Sequence, residues 1–181
     1  MTAAENTKFA KAADGTRIAY QLSGEGPAPL LLAGQANNHH WWDGVRDDFA
    51  ALRTTITLDY RGTGASDKPT TPYSTEIFAA DALSLLDELG IEATDVYGTS
   101  MGGRTAQIIA GRHPERVRRL ILGCTSPGGD HGFERSDAVR RSLRGRRRRG
   151  HREAPTALVR HPPRRPRRVP LRQPKIGRAH V

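Results

Sequence analysis

The sequence of 181 residues contains a single cysteine, Cys124, and no apolar run of membrane-spanning length. One cysteine excludes a disulfide framework and a cysteine-based metal cluster, and it is typical of a protein from a reducing compartment. The first residues, Met-Thr-Ala-Ala-Glu-Asn, have neither the basic region nor the apolar stretch of a signal peptide. We therefore expect a cytoplasmic protein that has no membrane partner.

Acidic charge is scarce in only one part of the chain. Residues 1–131 hold 12 basic and 16 acidic side chains, a net charge of −4, whereas residues 132–181 hold 17 basic and 3 acidic ones, a net charge of +14. The overall charge of +10 therefore describes the C-terminal segment alone. This contrast predicts two regions, an ordinary soluble domain over residues 1–131 and a basic tail over residues 132–181.

Apolar or β-branched segments alternate with amphipathic ones along the first region. Strands are predicted at residues 9–12, 16–22, 29–33, 54–60, 94–99 and 117–122. Helices are predicted at about residues 42–52, from a cap at Ser74 to Gly90, and from residue 101 to about His113. The alternation predicts a doubly wound, mostly parallel α/β sheet, whose ligands bind at the carboxyl ends of the strands.

Residues 98–102, Gly-Thr-Ser-Met-Gly, fit the G-x-S-x-G pattern of a nucleophile elbow. Such a serine sits on a strained turn between a strand and a helix, so that its hydroxyl stands clear of the backbone. The strand and the helix then pass so close together that side chains at Gly98 and Gly102 would collide with backbone. The predicted strand and helix on either side of Ser100 supply the context that this pattern requires.

Four segments now resemble motifs of one family, the α/β-hydrolases, in the family's order. They are residues 30–35 (LLLAGQ), 59–69 (DYRGTGASDKP), 98–103 (GTSMGG) and 113–122 (HPERVRRLIL). The resemblance covers roughly residues 9–130 and is strongest to small bacterial hydrolases such as 3-oxoadipate enol-lactonase, related esterases, cofactor-free peroxidases and aminoacrylate hydrolases. It implies an incomplete α/β-hydrolase fold that contains the first six strands of the sheet and is truncated at its C-terminus.

The resemblance also implies a mechanism, without a cofactor or a metal. Ser100 is then the nucleophile that forms an acyl-enzyme, and the backbone N–H groups of Met101 and Gln35 form the oxyanion hole. Serine at the elbow argues against the branches that use aspartate there, the haloalkane dehalogenases and epoxide hydrolases. Ala33 departs from the pattern, because relatives often carry histidine at this position, and this departure puts the geometry of the loop in question.

The family's catalytic acid and histidine lie on strands well after the elbow, and we assign neither in this chain. We interpret His39 and His40, which precede the elbow, as pocket-lining or loop-packing residues, and Asp130 as a turn residue. We therefore expect this chain to be inactive toward esters by itself.

Two further features of the first region have competing interpretations. The glycine-rich loop at residues 61–67 lacks the endings of a phosphate-binding loop, and we interpret it as a structural turn near the pocket. Trp41 and Trp42 could line an acyl pocket or pack in the core, and the sequence favours neither.

From about residue 144 the composition shifts to Arg, Pro, His, Gly and Ala without hydrophobic periodicity, which predicts a disordered segment. A GC-rich gene translated out of frame gives such a composition, and the last six residues can be encoded by a string that resembles a sequencing-library adapter. Our hypothesis is that this segment is frameshifted or artefactual. The alternative is a genuine arginine-rich tail, which would bind nucleic acid nonspecifically through phosphate contacts.

The function expected from these observations is serine hydrolysis of a small-molecule carboxylic ester or lactone. Within the same fold, hydrolysis of a C–N or C–C bond and cofactor-free peroxidase chemistry remain alternatives. From another class, a noncatalytic arginine-rich nucleic-acid-binding protein remains an alternative, and a downstream acid and histidine would distinguish the enzymes from it.

Overall fold

The structure is a computed structural model that describes residues 7–128, 132 and 136–138. The chain divides into two compact units, Met1–Glu134 and Arg135–Val181. Only residues 136–138 of the second unit are described, so the expectations for the basic tail and for Asp130 lie outside the described residues.

The first unit contains six strands and three α-helices among its described residues, in an order that confirms the predicted alternation. The strands are β1 (Lys8–Lys11), β2 (Arg17–Ser23), β3 (Leu30–Leu32), β4 (Thr55–Leu58), β5 (Thr94–Thr99) and β6 (Val117–Gly123). The helices are α1 (Arg46–Ala50), α2 (Thr75–Glu88) and α3 (Met101–Arg112), with short 3-10 turns at His39–Trp42 and Pro114–Arg116.

The six strands form one mixed sheet in the order β1-β2-β4-β3-β5-β6. The pairs β1–β2 and β2–β4 are antiparallel, and the remaining pairs, β4–β3, β3–β5 and β5–β6, are parallel. The carboxyl ends of β3, β4 and β5 therefore meet at one edge of the sheet. That edge is where the loop after Ala33, the loop after Asp59 and the predicted nucleophile Ser100 begin.

The core lies on both faces of β3, whose three leucines are all buried. Leu30 and Leu32 belong to a large apolar cluster that includes Phe78, Leu85 and Leu86 of α2, while Leu31 packs in a smaller cluster with Trp42. Successive residues of a strand face opposite sides, which explains why β3 is a continuous apolar run rather than an alternating one.

Helix α2 begins and ends where the sequence predicted. The side chain of Ser74 accepts a hydrogen bond from the backbone N–H of Ile77 at 3.3 Å, and Gly90 follows the last turn with φ +66°. A residue with positive φ after a helix is usually glycine, because it lacks the Cβ that disfavours this conformation.

The helix predicted at residues 42–52 is wrong in its extent. A 3-10 turn at His39–Trp42 is followed by only five α-helical residues, Arg46–Ala50. Gly44 is a poor helix former, and no side chain caps the start of α1 at Val45, so a longer helix is not supported there. Of the apolar residues in this segment, Phe49 packs toward Tyr97, but Leu52 is 83% exposed.

Strand β6 is the last strand in the sheet, and no described strand pairs with its outer edge. Leu120, Ile121 and Leu122 of this strand are all exposed. No helix of the described residues is both long and apolar enough to cross a membrane.

Candidate active site

Ser100 stands at the sharp turn between β5 and α3, with φ 53° and ψ −115°. A positive φ is rare for a residue with a side chain and costs on the order of 1–3 kcal/mol, which the surrounding structure must offset. The residue is exposed, and its hydroxyl makes no hydrogen bond to any described residue. The strained turn therefore presents a free hydroxyl to solvent, as a nucleophile elbow requires.

Two glycines make this turn possible. A Cβ added to Gly98 would meet the backbone carbonyl of Gly102 and would lie 2.7 Å from the Cα of Gly103. A Cβ added to Gly102 would meet the carbonyl oxygen of Leu32 and lie 2.5 Å from that of Ala33. The close approach of α3 to β5 and β3 thus depends on the absence of side chains at these two positions, as the motif predicted.

The loop predicted to supply an oxyanion donor runs beside the elbow. A Cβ added to Gly34 would lie 3.5 Å from the Cβ of Ser100. Residues 34–37 form a turn in which the N–H of Asn37 donates to the carbonyl oxygen of Gly34 at 3.3 Å, and Ala36 takes φ 61°. Gln35, the predicted donor, is an exposed residue in the middle of this turn.

Ala33, which stands where relatives often carry histidine, is contacted by the buried side chain of Tyr60. The Tyr60 hydroxyl donates a hydrogen bond of 3.2 Å to the carbonyl oxygen of Ala33, just before the oxyanion loop. Burial raises the pKa of Tyr60 well above its usual value, so the phenol stays protonated and remains a donor. Tyr60 also packs against Phe78 of α2 in a tilted arrangement, with ring centroids 4.7 Å apart. This chain therefore supports the start of the loop with a buried tyrosine.

Met101 is the first residue of α3, so its backbone N–H has no partner within the helix. Its N–H also donates to no described residue outside the helix. The positive end of the dipole of this 12-residue helix adds to the field around the same N–H. The structure thus leaves free the amide that the sequence named as an oxyanion donor.

The described histidines are engaged elsewhere. His39 is buried, and its Nδ1 lies 2.8 Å from Oδ1 of Asp59, whose Oδ1 also accepts the backbone N–H of His39 at 2.7 Å. The Nδ1 of His40 lies 2.7 Å from Oδ2 of Asp43 within the same 3-10 turn. His113 follows α3 at the opposite end from Ser100, a helix length of roughly 18 Å. The interpretation of His39 and His40 as loop-packing residues agrees with these contacts.

The loop after β4 is a structural turn with a buried centre. The carboxylate of Asp59 is fully buried and accepts the backbone N–H of Ala65 at 2.8 Å, in addition to its bonds from His39. A Cβ added to Gly64, which has φ +48°, would collide with this carboxylate. The sequence predicted the turn but not that Asp59 would join two loops at the edge of the sheet.

The two tryptophans differ in their environments. Trp42 is 3% exposed and packs on Tyr97 with ring centroids 5.4 Å apart, so it belongs to the core. Trp41 is 55% exposed and is free to contact a ligand.

A cleft of about 740 Å³ lies at the other end of the parallel strands. Its walls include residues 26–29, Arg53, Arg118 and Arg119. Thr94 and Asp95, where β5 begins, also line it, whereas Ser100 follows the end of β5. Ligand sites of open α/β sheets lie at the carboxyl ends of the strands, so we do not assign this cleft to the substrate.

Among the described residues no group of three or more His, Cys, Asp or Glu side chains could hold a metal ion.

A family model described as alpha/beta hydrolase fold matches residues 29–175 of the chain. The match includes the turn at residues 34–37, the loop after β4 and the turn at Ser100. It continues past the described residues into the basic segment.

Two curated relatives show how far the similarity extends. An uncharacterized protein of Mycobacterium tuberculosis is 41% identical over 115 residues, which are 64% of this chain and 33% of that protein. A fluoroacetate dehalogenase of a Burkholderia species is 38% identical over 106 residues, 56% of this chain and 35% of that enzyme. The chain spans about a third of the length of these relatives.

A solved structure of Est816, described as an N-acyl homoserine lactone degrading enzyme, superposes with a TM-score of 0.63 at 32% sequence identity. The superposition covers 66% of this chain and 46% of that one.

Proposed function

Because the chain belongs to the α/β-hydrolase fold family, we propose that its site is that of a serine hydrolase in which Ser100 forms an acyl-enzyme. The observation that carries this proposal is the exposed, positive-φ serine between β5 and α3, whose hydroxyl makes no hydrogen bond to a described residue. The dehalogenase relative makes the identity of the nucleophile important, because branches that displace halide use aspartate at the elbow. Serine at this position favours attack on a carbonyl carbon.

The two amides named from the sequence support the same chemistry. Attack on a carbonyl places a negative charge on its oxygen, and backbone N–H donors aimed at that oxygen stabilise the tetrahedral intermediate. We propose that the N–H groups of Met101 and Gln35 do this, because the N–H of Met101 at the start of α3 has no partner among the described residues and the loop that carries Gln35 lies beside Ser100.

We propose a small carboxylic ester or lactone as the substrate class. The lactone-degrading activity named for Est816 supports this class, and the free serine suits ring-opening of a lactone as well as cleavage of an open ester. Both reactions proceed through the same acyl-enzyme on the Ser100 hydroxyl.

We further propose that the chain as given does not supply the general base. A serine hydroxyl is a weak nucleophile at neutral pH unless a neighbouring base takes its proton. Among the described residues no histidine makes a hydrogen bond with the Ser100 hydroxyl: the Nδ1 atoms of His39 and His40 lie against Asp59 and Asp43, and His113 follows the far end of α3. Imidazole from solution has access to this exposed site.

The proposal is tested by hydrolysis of p-nitrophenyl butyrate in buffers with and without imidazole. We expect the chain and the S100A variant to show equal rates without imidazole, since both lack an activated nucleophile. With imidazole, the chain should exceed S100A, which reports only the background reaction of imidazole with the ester. The S84A variant, which removes a half-buried hydroxyl from α2, is the matched control and should behave as the unmodified chain.

Equal rates of the chain and S100A in imidazole would refute the assignment of the nucleophile. If the chain turns over the ester without imidazole and S100A does not, Ser100 is supported as the nucleophile. The proposal that the chain lacks a general base is then refuted. Loss of that turnover in H39Q as well, with its recovery on addition of imidazole, would identify His39 as the base.

A further inference from the structure

The last residue of β6 and the segment that follows it hold the backbone of Ser100 on both sides. The N–H of Ser100 donates to the carbonyl oxygen of Gly123 at 2.9 Å, and the Thr125 hydroxyl donates to the carbonyl oxygen of Ser100 at 2.7 Å. With φ at 53°, Ser100 needs such contacts from outside its own turn, because its intrinsic preference is for negative φ. Residues 123 and 125 therefore fix a conformation that the elbow would not keep alone.

The helix contributes less to the same carbonyl group. The N–H of Arg104, the partner expected for Ser100 in the first turn of α3, lies 3.3 Å from that oxygen, at the long end of hydrogen-bond distances. The Thr125 hydroxyl, at 2.7 Å, has the length of a good O–H···O bond. Thr125 is thus the closer of the two partners of the Ser100 carbonyl oxygen.

The position of Thr125 is fixed by close packing on α3. A Cβ added to Gly103 would lie 2.6 Å from the Cβ of Thr125, so the threonine occupies the space that a side chain at 103 would fill. The next residue, Ser126, accepts a hydrogen bond of 3.0 Å from the guanidinium of Arg104 and one of 3.3 Å from the amide of Gln107. The hydroxyl of Thr125 is therefore held on the first two turns of α3.

The Ser100 carbonyl and the Met101 N–H belong to the same peptide group. A trans peptide is planar, and its C=O and N–H point in opposite directions. A hydrogen bond that fixes the direction of the Ser100 carbonyl oxygen therefore fixes the direction of the Met101 N–H on the other side of the plane. Rotation of this peptide would move the N–H away from the oxygen of a carbonyl under attack.

We propose that Thr125 is a positioning residue of the oxyanion hole, whose hydroxyl aims the Met101 N–H by holding the Ser100 carbonyl. This inference rests on the proposed function, since the direction of that N–H matters only if an oxyanion forms next to Ser100. Thr125 contacts no reacting atom, and its role is exerted entirely through the peptide between residues 100 and 101.

The test uses a thiol in place of the serine, so that no base has to be supplied. The full chain carrying S100C and C124S has one reactive thiol, at the elbow. Its acylation by p-nitrophenyl acetate builds an oxyanion, whereas its alkylation by iodoacetamide displaces iodide and builds none. N-acetylcysteine provides the reference ratio of the acylation rate constant to the alkylation rate constant. Each rate constant is measured as a function of pH, so that the reactivities of the thiolate forms are compared.

We expect the ratio of acylation to alkylation in this parent to exceed that of N-acetylcysteine. Adding T125V, which replaces the hydroxyl by a methyl group, should lower the acylation rate constant about tenfold, because a misaimed donor forfeits part of what a complete donor supplies. The alkylation rate constant and its pH profile should stay within about twofold. T125S, which keeps the hydroxyl, should restore acylation, and circular dichroism verifies that each variant is folded.

The possible outcomes separate the two proposals. If the ratio of acylation to alkylation in the parent exceeds that of N-acetylcysteine and T125V does not change it, the oxyanion hole is supported. The positioning role of Thr125 is then refuted. A parent ratio no higher than the reference overturns the oxyanion hole and, with it, the role of Thr125. If T125V lowers acylation and alkylation equally, or if T125S does not restore acylation, Thr125 supports the structure without aiming the amide.

Discussion

Arg61 and Asp81 form a buried, two-point ion pair between the loop after β4 and helix α2. The Nε of Arg61 donates to Oδ2 of Asp81 at 2.7 Å and its Nη2 to Oδ1 at 2.5 Å, and the two side chains are 4% and 1% exposed. The same guanidinium donates to Asp14 at 2.7 Å, in the turn between β1 and β2. Arg61 therefore connects three segments of the fold: the loop after β4, helix α2 and the turn between β1 and β2.

Removing the charge of Asp81 should destabilise the domain strongly. D81N leaves the buried Arg61 without its main counter-ion, and breaking a buried pair in this way costs about 3 kcal/mol or more. D87N is the matched control, because Asp87 lies on the same helix and meets Arg116 at 2.7 Å but is 64% exposed. An exposed pair contributes less than about 1 kcal/mol. Urea denaturation measures both changes, and equal losses of stability would contradict the account.

Acid should destabilise the fold through carboxylates that are paired in the folded state. The Arg61 guanidinium holds the pKa of Asp14 well below its usual value near 3.8, and Arg17 lowers the pKa of Asp67. A carboxyl whose folded pKa is depressed contributes stability above its unfolded pKa and loses it as the pH falls below. The hydrogen bonds to Asp81 raise the pKa of the buried Arg61 guanidinium, so the fold stabilises this pair in its charged form. Both depressed carboxyls are solvent-exposed, so we expect a modest effect.

The urea midpoint should therefore fall as the pH is lowered from about 5 to about 3. D14N removes one of the two carboxyls that must take up a proton, so its midpoint should fall less steeply over the same interval. An unchanged slope in D14N would show that Asp14 is not a source of the acid sensitivity.

The close contact of α3 with β3 should make Gly102 irreplaceable. G102A places a Cβ against the carbonyl oxygens of Leu32 and Ala33, where backbone has to move. G111A is the matched control, because Gly111 lies in the same helix with no atom within 4 Å of its added Cβ. We expect G111A to stabilise the domain by about 0.5–1 kcal/mol, and G102A to lower its melting temperature. Thermal unfolding checks both, and a stable G102A would contradict the packing of the elbow.

The outer edge of β6 should promote association of the chain with itself. Unpaired apolar edges are templates for pairing with another strand, and Ile121 is 54% exposed at this edge. I121K should reduce association, because a charge at an edge opposes pairing. L52K changes an equally apolar residue that is 83% exposed after α1, and it should have no effect. Sedimentation velocity over a concentration series measures this, and association of I121K equal to that of L52K would exclude β6 as the interface.

Local patterns were sufficient to predict the strand and the helix on either side of Ser100. The apolar run at β3, the cap at Ser74 and the two elbow glycines each have a physical cause that lies within a few residues. The helix at residues 42–52 was overestimated because a periodic apolar pattern outweighed Gly44 and the missing cap.

The contacts that support the site were not predictable in this way. Thr125 reaches Ser100 across 25 residues, and Arg61 reaches Asp81 across 20. A threonine after a strand and an arginine in a turn are ordinary by sequence, and their roles appear only when β6 and α2 are placed in the fold. Ser100 was therefore predicted as a site residue from its motif, whereas the residues that contact its backbone were found only in the structure.

The covalent intermediate on Ser100 tests the central claim most directly. The chain is incubated with p-nitrophenyl acetate in imidazole buffer and quenched in acid, and its peptides are analysed by mass spectrometry, with S100A treated in parallel. We predict one acetyl group on the peptide that contains Ser100, and no acetylation of the corresponding peptide of S100A. Ester turnover without acetylation of Ser100, or with equal acetylation of that peptide in S100A, would contradict the account.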